Sequence, residues 1–493
     1  MEKFIQIEKA IAKRYDISEA PLYQKSVNEI NGITIFMLNA GKTDVLIAVG
    51  GECGLHGECC IAASGEQYCL APLCHENAKV LRKLFPFTAP ISVLSSERTV
   101  GVGDRLGVAC PGHIRVFERY DAIPIFAQQS IRELTLSDRN YDEVLDCVTF
   151  SVYREGFLKG FGADGDHLKT PKEVEYAINC GYTMITLDCS EHIPNNIEEM
   201  TQAKIDNIYS SDKVLEERYI DKHFFIEDGV ELVFSEDEFK KMVCIYGKSI
   251  EFVSKIYKSY IKKENGKLDF EVSIDETSTS TTPLQHFFVA NELIHRGVCF
   301  ATLAPRFCGE FQKGIDYIGD IDQFAKELTV HAAIARHFGY KISVHSGSDK
   351  FSVFPAIGEL TNGRFHLKTA GTNWLEAMKL VAMKDPFLYR EIHQFALDAF
   401  NEAKQYYHVT TDITKIPDIS KLADFELPQL FTQNDARQLI HITYGPILTK
   451  KDSQGRFVFR DRLYDLWRRY AENYAVLLDN HIGRHLELLN SKL

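Results

Sequence analysis

The sequence predicts an α/β protein: a (β/α)8 TIM-like barrel with an N-terminal α/β extension and a helical C-terminal region. Three observations carry this. From about residue 120, short apolar runs alternate with helical patterns, which implies a parallel sheet. Most of those runs end in polar, chemically active residues, which favours a closed barrel over an open sheet. The 493 residues, 45% hydrophobic and 25% charged, are ordinary globular material with room for a large core and additions.

Residues 1–115 are expected to form the extension. A helix comes first, then strands at 33–38 and 45–49, the latter closed by Gly50-Gly51-Glu52-Cys53-Gly54. The barrel is expected over 116–410. Its apolar runs end at Gln128-Gln129-Ser130, Asp188, Asp275-Glu276-Thr277, Arg306, His345-Ser346-Gly347-Ser348 and Thr369-Ala370-Gly371. The segment Phe161 to Thr170 adds another unit, and Thr170-Pro171-Lys172-Glu173 reads as a capped helix start. One strand is hard to place, and 147–152 is a candidate. Residues 195–265 read as a charged, mostly helical insertion. Residues 411–493 read as helices packing on the barrel.

A net charge of −13 argues against nucleic acid as the main partner, since phosphate neutralisation needs a basic surface. The first residues, Met1-Glu2-Lys3-Phe4-Ile5-Gln6, carry no apolar signal run, and no segment is long and apolar enough for a membrane span. A cytoplasmic protein with reduced thiols is expected. Cys53, Cys59, Cys60, Cys69, Cys74 and Cys110 crowd the first 110 residues, but paired Cys-x-x-Cys knuckles are missing, so free thiols are preferred to zinc. Gly101-Val102-Gly103-Asp104-Arg105-Leu106-Gly107 lacks the third glycine of a dinucleotide loop, and there is no Walker lysine loop. The helical pattern around Arg437, His441 and Tyr444 reads first as packing.

Asp166-His167, Asp275-Glu276, His345 and His366 form the main constellation. A divalent cation in a barrel mouth wants two or three imidazoles plus a carboxylate, with positions left open for substrate. His167 and His345 stand at strand ends; His366 lies inside its strand and needs the inward face. Singly, each would be an ordinary hydrogen-bonded histidine, but three beside paired acids favour metal. Asp166 and Glu276 are the best acid–base pair, against a plainer reading as solvated or capping groups. Asp188 and His192 are weaker candidates. Arg306 offers a fork for a carboxylate and Lys313 a further charge, with an Arg306–Glu310 rim bridge as the plain alternative. Ser346 and Lys350 suit a polyol or anionic ligand.

The stretches Ile125-Phe126-Ala127-Gln128-Gln129-Ser130, Gly162-Ala163-Asp164-Gly165-Asp166-His167, Val272-Ser273-Ile274-Asp275-Glu276-Thr277, His345-Ser346-Gly347-Ser348-Asp349-Lys350-Phe351, Phe365-His366-Leu367-Lys368-Thr369-Ala370-Gly371 and Arg437 to Gly445 resemble the tagaturonate epimerase family. The likeness spans roughly 95–490, with Gly165 a mild departure where Ala is usual. It implies interconversion of D-tagaturonate and D-fructuronate with a divalent metal (Mn, Zn, Ni or similar) in bacterial hexuronate catabolism. It also implies Asp166 as proton acceptor, Glu276 as donor, and His167, His345 and His366 as metal ligands. Arg306, Lys313 and Lys350 are the candidates for the carboxylate of this small uronate ketose. The two sugars differ at C4 from the keto end, where the ketone does not acidify the proton. Retro-aldol cleavage and re-addition inverts that carbon, with direct deprotonation or transient oxidation as alternatives. The alternative functions are another metal-dependent sugar isomerase, a ketohexose 4-epimerase, a class II-type aldolase, or a non-catalytic sugar-acid sensor.

Overall fold

Eight parallel strands close into a barrel in chain order: β6 (Arg98–Gly101), β7 (Ile123–Ser130), β8 (Gly162–Leu168), β9 (Met184–Asp188), β12 (Asp269–Ile274), β13 (Thr302–Pro305), β14 (Lys341–Val344) and β15 (Phe365–Lys368). The computed structural model describes residues 2–490 apart from Asn195 and Ala370; Ala370 of the last motif therefore lies outside it. No helix among the described residues is long and apolar enough to cross a membrane.

The sequence signals explain most of the barrel. Thr170 caps the helix Pro171–Asn179 through a reciprocal bond with Glu173, and Pro171 sits at its first turn. Two boundaries differ from expectation. β6 lies inside 1–115, so the barrel begins earlier than residue 116; four residues, one of them Arg98, give too short an apolar run to stand out. Residues 147–152 belong to the helix Tyr141–Glu155, which Asn140 and Glu143 cap and Gly156 ends at φ 62°.

The extension is an antiparallel sheet ordered β1 (Asn28–Ile30), β2 (Ile33–Asn39), β3 (Asp44–Val49), β5 (Gln67–Pro72) and β4 (Glu58–Ile61). Helix Glu2–Arg14 covers one face. His75–Leu84 and the barrel helix Tyr141–Glu155 cover the other, so alternate residues such as Phe36 and Met37 enter different cores. The insertion is shorter and less helical than expected. It carries a hairpin of β10 (His223–Phe225) and β11 (Glu231–Val233), and Glu236–Ile256 is the helix between β9 and β12. The helical region is wider than 411–493, because Thr372–Lys384 and Pro386–Ala403 share its core. Its last helix, Ala471–Leu488, packs on Cys110–Phe117 and Phe354–Leu360 and sends Ile482 and Leu486 into the barrel's core. The thiols are free.

Candidate active site

A barrel interior is normally filled with branched apolar side chains. Here one inward layer holds Thr99, Asp164, Thr186, Glu271, Thr302, Ser343 and His366, all fully buried. Burying such groups is costly unless they pair, and most of them do. Thr186 Oγ1 donates to Asp164 Oδ1 at 2.9 Å, and Thr302 Oγ1 donates to Glu271 Oε2 at 2.6 Å. Lys368, one step higher on β15, crosses the barrel. Its Nζ lies 2.8 Å from Asp164 Oδ2, 2.7 Å from Asp166 Oδ1 and 2.9 Å from Glu271 Oε1.

Above this layer the strand ends converge on a cavity of about 260 Å³. Asp166, His167, Asp275, Glu276, His345 and Lys368 reach it, with Arg132, Arg306, Lys313 and Ser346 along its wall. Tyr406, Tyr407 and His408 from the helical region close its lip. His167 has φ 53° and Ser346 φ 48°. Non-glycine residues seldom adopt this left-handed geometry, which here coincides with side chains aimed into the mouth. The ladder between β8 and β9 slips between Gly165 and Leu168, which frees Asp166 and His167 from regular pairing with β9. Gly165 has a packing reason as well, because a Cβ there would stand 2.9 Å from Ala177 Cβ and 3.0 Å from Leu168 Cδ1.

His167, Asp275 and His345 bring three donor atoms within 4.8 Å of one another. The rings of His167 and His345 meet edge to face at 4.9 Å. His345 Nε2 lies 2.7 Å from Glu271 Oε1, and its Nδ1 lies 3.1 Å from Asp275 Oδ1. His167 Nε2 is 3.8 Å from Asp166 Oδ1, while its Nδ1 is 3.6 Å from Asp188 Oδ2. Both of those last two atoms are buried without a hydrogen bond. Lys169 bridges Asp188 and Glu276 at 3.3 and 3.6 Å.

The charges explain the titration. Burial opposes protonation of His167, but Asp166, Asp188, Glu276 and Asp275 outweigh it and push its pKa up to about 10. Burial likewise works against His345, which Asp275 and Glu271 raise to about 9. Asp166 is buried, yet Lys368 and the two imidazoles hold it well below the usual carboxylate range. Asp164, buried beneath it beside Asp166 and Glu271, is raised to about 7 despite Lys368. Two imidazoles that gather protons among carboxylates form a place a divalent cation can occupy instead. The residues fit one: His167, His345 and Asp275 supply nitrogen and oxygen donors, and Glu271 is set to accept the other ring proton of His345.

The remaining expectations divide. His366 stands outside the donor groups that form among the described residues. It pairs in register with Ser343 and Thr99, about 7 Å below the level of Lys368 at two residues of strand rise. There its Nδ1 meets Thr99 Oγ1 at 2.9 Å, and burial drives its pKa down to about 3. Lys350 does not reach the cavity. Fully buried, it donates to the carbonyls of Gln312, Ile315 and Ser348 at 2.6 to 2.8 Å, bracing the loop that carries Lys313. Lys313 Nζ donates to Ser346 Oγ at 3.1 Å. Arg306 lines the wall without an Arg306–Glu310 bridge, since Glu310 pairs with His408 at 3.4 Å. Lys368, Asp164 and Glu271 were missed; their signal was a charged residue in the middle of a short strand.

The family model of tagaturonate epimerase (UxaE) matches residues 23–489. The tagaturonate/fructuronate epimerase of Thermotoga maritima is 40% identical over 475 residues, covering 95% of this chain and 96% of that protein. A glycerol-complexed crystal structure of fructuronate-tagaturonate epimerase UxaE from Cohnella laeviribosi superposes with a TM-score of 0.94 at 45% identity, covering 98% of this chain and 99% of that one. The same enzyme with two glycerols is matched along 100% of both chains.

Proposed function

The chain belongs to the tagaturonate epimerase family, and on that footing we propose that it interconverts D-tagaturonate and D-fructuronate by inverting C4 from the keto end. The observation that carries this reading is the meeting of Asp166, Glu276 and the donors His167, Asp275 and His345 in one cavity. A binding protein has no need of two acids beside such a donor set.

His167, His345 and Asp275 would hold a divalent cation, which supplies Lewis acidity toward the ketone oxygen. Asp166, kept ionised by Lys368, takes the C4 hydroxyl proton. The C3–C4 bond then breaks: its electrons pass into a three-carbon enediol fragment, and C4 becomes an aldehyde bearing the carboxylate end. The aldehyde turns over, C3 attacks its other face, and Glu276 in its acid form protonates the new alkoxide; Asp166 then releases the proton it took and Glu276 regains one, both by exchange with solvent. Arg306 and Lys313 place positive charge along the wall, and Ser346 holds Lys313 in place.

Metal-loaded protein incubated with tagaturonate in D2O, followed by NMR, tests both parts. Fructuronate is expected to appear with no deuterium at C4. No fructuronate would overturn the activity, whereas deuterium at C4 would overturn the cleavage route alone.

A further inference from the structure

We propose that Arg132, laid against the ring of Tyr407, grips the substrate's carboxylate and so selects a uronate over the neutral ketohexose. This rests on the epimerase reading above and adds the source of its substrate class. Most cations around the cavity are already engaged. Lys368 is ringed by Asp164, Asp166 and Glu271, Lys313 is tied to Ser346, and His408 faces Glu310. Glu133, the acid next to Arg132 in the chain, is neutralised by the buried Arg105. Arg132 itself is exposed on the wall, and no carboxylate among the described residues pairs with it.

The geometry favours Arg132 over Arg306. The Arg132 guanidinium carbon lies 5.3 Å from the Tyr407 ring centroid. An aromatic ring engages the face of a guanidinium and leaves its N–H edge free, and that edge matches a carboxylate in two-point fashion. No ring lies over the Arg306 guanidinium among the described residues. The ketone end of a six-carbon acid belongs with the donors at the cavity floor, so its carboxylate belongs against a remote wall. Arg132 follows β7 directly, and Tyr407 comes from the helical region, so the clamp joins two parts of the molecule.

The test compares Arg132→Ala, Arg132→Lys and Arg306→Ala on tagaturonate turnover and on inhibition by D-tagatose, the neutral ketohexose. Arg132→Ala is expected to raise KM for tagaturonate about ten- to hundredfold, the usual scale for losing hydrogen bonds to a charged group. The inhibition constant for D-tagatose should stay within about twofold, added guanidinium should restore part of the loss, and Lys should rescue poorly. An unchanged KM, an equal loss toward both sugars, or a carboxylate-specific loss in Arg306→Ala with none in Arg132→Ala would overturn the proposal. Absence of turnover in the unaltered protein would instead fault the epimerase reading; competition between tagaturonate and D-tagatose for binding then still decides the role of Arg132.

Discussion

Among the described residues, two clusters contain one acid and two imidazoles with donor atoms within 4.8 Å: His167, Asp275 and His345 in the mouth, and Asp349, His481 and His485 behind it. Their surroundings are opposite. In the second, Arg437 Nη2 lies 2.9 Å from Asp349 Oδ2 and His481 Nε2 lies 3.0 Å from Oδ1. His485 Nδ1 donates to the His481 carbonyl at 2.8 Å, and its Nε2 accepts the Asp349 N–H at 3.1 Å. The His485 lone pair is spent, Arg437 neutralises Asp349, and His481 Nδ1 lies 3.4 Å from Glu376 Oε1, so this cluster pins the His345 loop to the last helix. The mouth cluster has surplus carboxylates and an open side. Donor count alone therefore does not make a metal site; charge balance and an unfilled face do.

The largest effect should come from the donors. His167→Ala or His345→Ala is expected to lose bound metal and lower turnover by about a thousandfold or more, whereas His481→Ala keeps its metal by elemental analysis. Equal metal loss from both clusters would erase the contrast. Next come the proton carriers: Asp166→Asn and Glu276→Gln should each lower kcat by about 10²–10⁴-fold with metal content unchanged. Near-normal kcat in both would remove their assigned roles.

The second cluster should show itself in stability. Asp349→Ala leaves Arg437 without its buried carboxylate and His481 with Glu376 alone, and should cost about 3–5 kcal/mol, read by denaturant unfolding. A loss below about 1 kcal/mol would mean the pinning is superficial.

The smallest effect per pH unit is in pH dependence, where His485 and His167 have opposite signs. Burial and the nearby His481 depress His485 to about 3. Its contribution is full above the unfolded value near 6.5 and is lost as pH falls from there toward 3. His167, raised to about 10, contributes fully below about 6.5 and loses that contribution as pH rises through 10 in chelated protein. Each slope is about 1.4 kcal/mol per pH unit per proton. His485→Gln should flatten the acid limb of a stability–pH curve and His167→Gln the alkaline limb; a swap of the two limbs would contradict these environments.

The contrast also marks what sequence reading reaches. Glu276 and His345 were legible because each follows an apolar run at a strand end, where a barrel mounts its chemistry, and Asp166 and His167 because they crowd a short polar stretch just before a capped helix start. Lys350 sits in the same kind of loop, yet its ammonium turns inward to three carbonyls, a choice local pattern does not encode. His366 shares its strand face with Lys368 but lies two residues lower, so register alone separates a buried histidine from the mouth. Asp164, Glu271 and Lys368 carried a weaker signal, because a charge inside a short strand is explicable only once its partners across the barrel are known.

By itself the sequence determined the alternation of strands and helices, hence a barrel, and the residues at its strand ends, because hydrophobic period and capping act over neighbouring residues. Only the tertiary structure decided which charges meet. Closing the barrel brings β15 across from β8 and β12, placing Lys368 among Asp164, Asp166 and Glu271. It also laid Tyr407 over Arg132 and used Asp349 to hold the His345 loop against the last helix. Electrostatic pairing depends on distances through space between segments hundreds of residues apart, and no local pattern contains them.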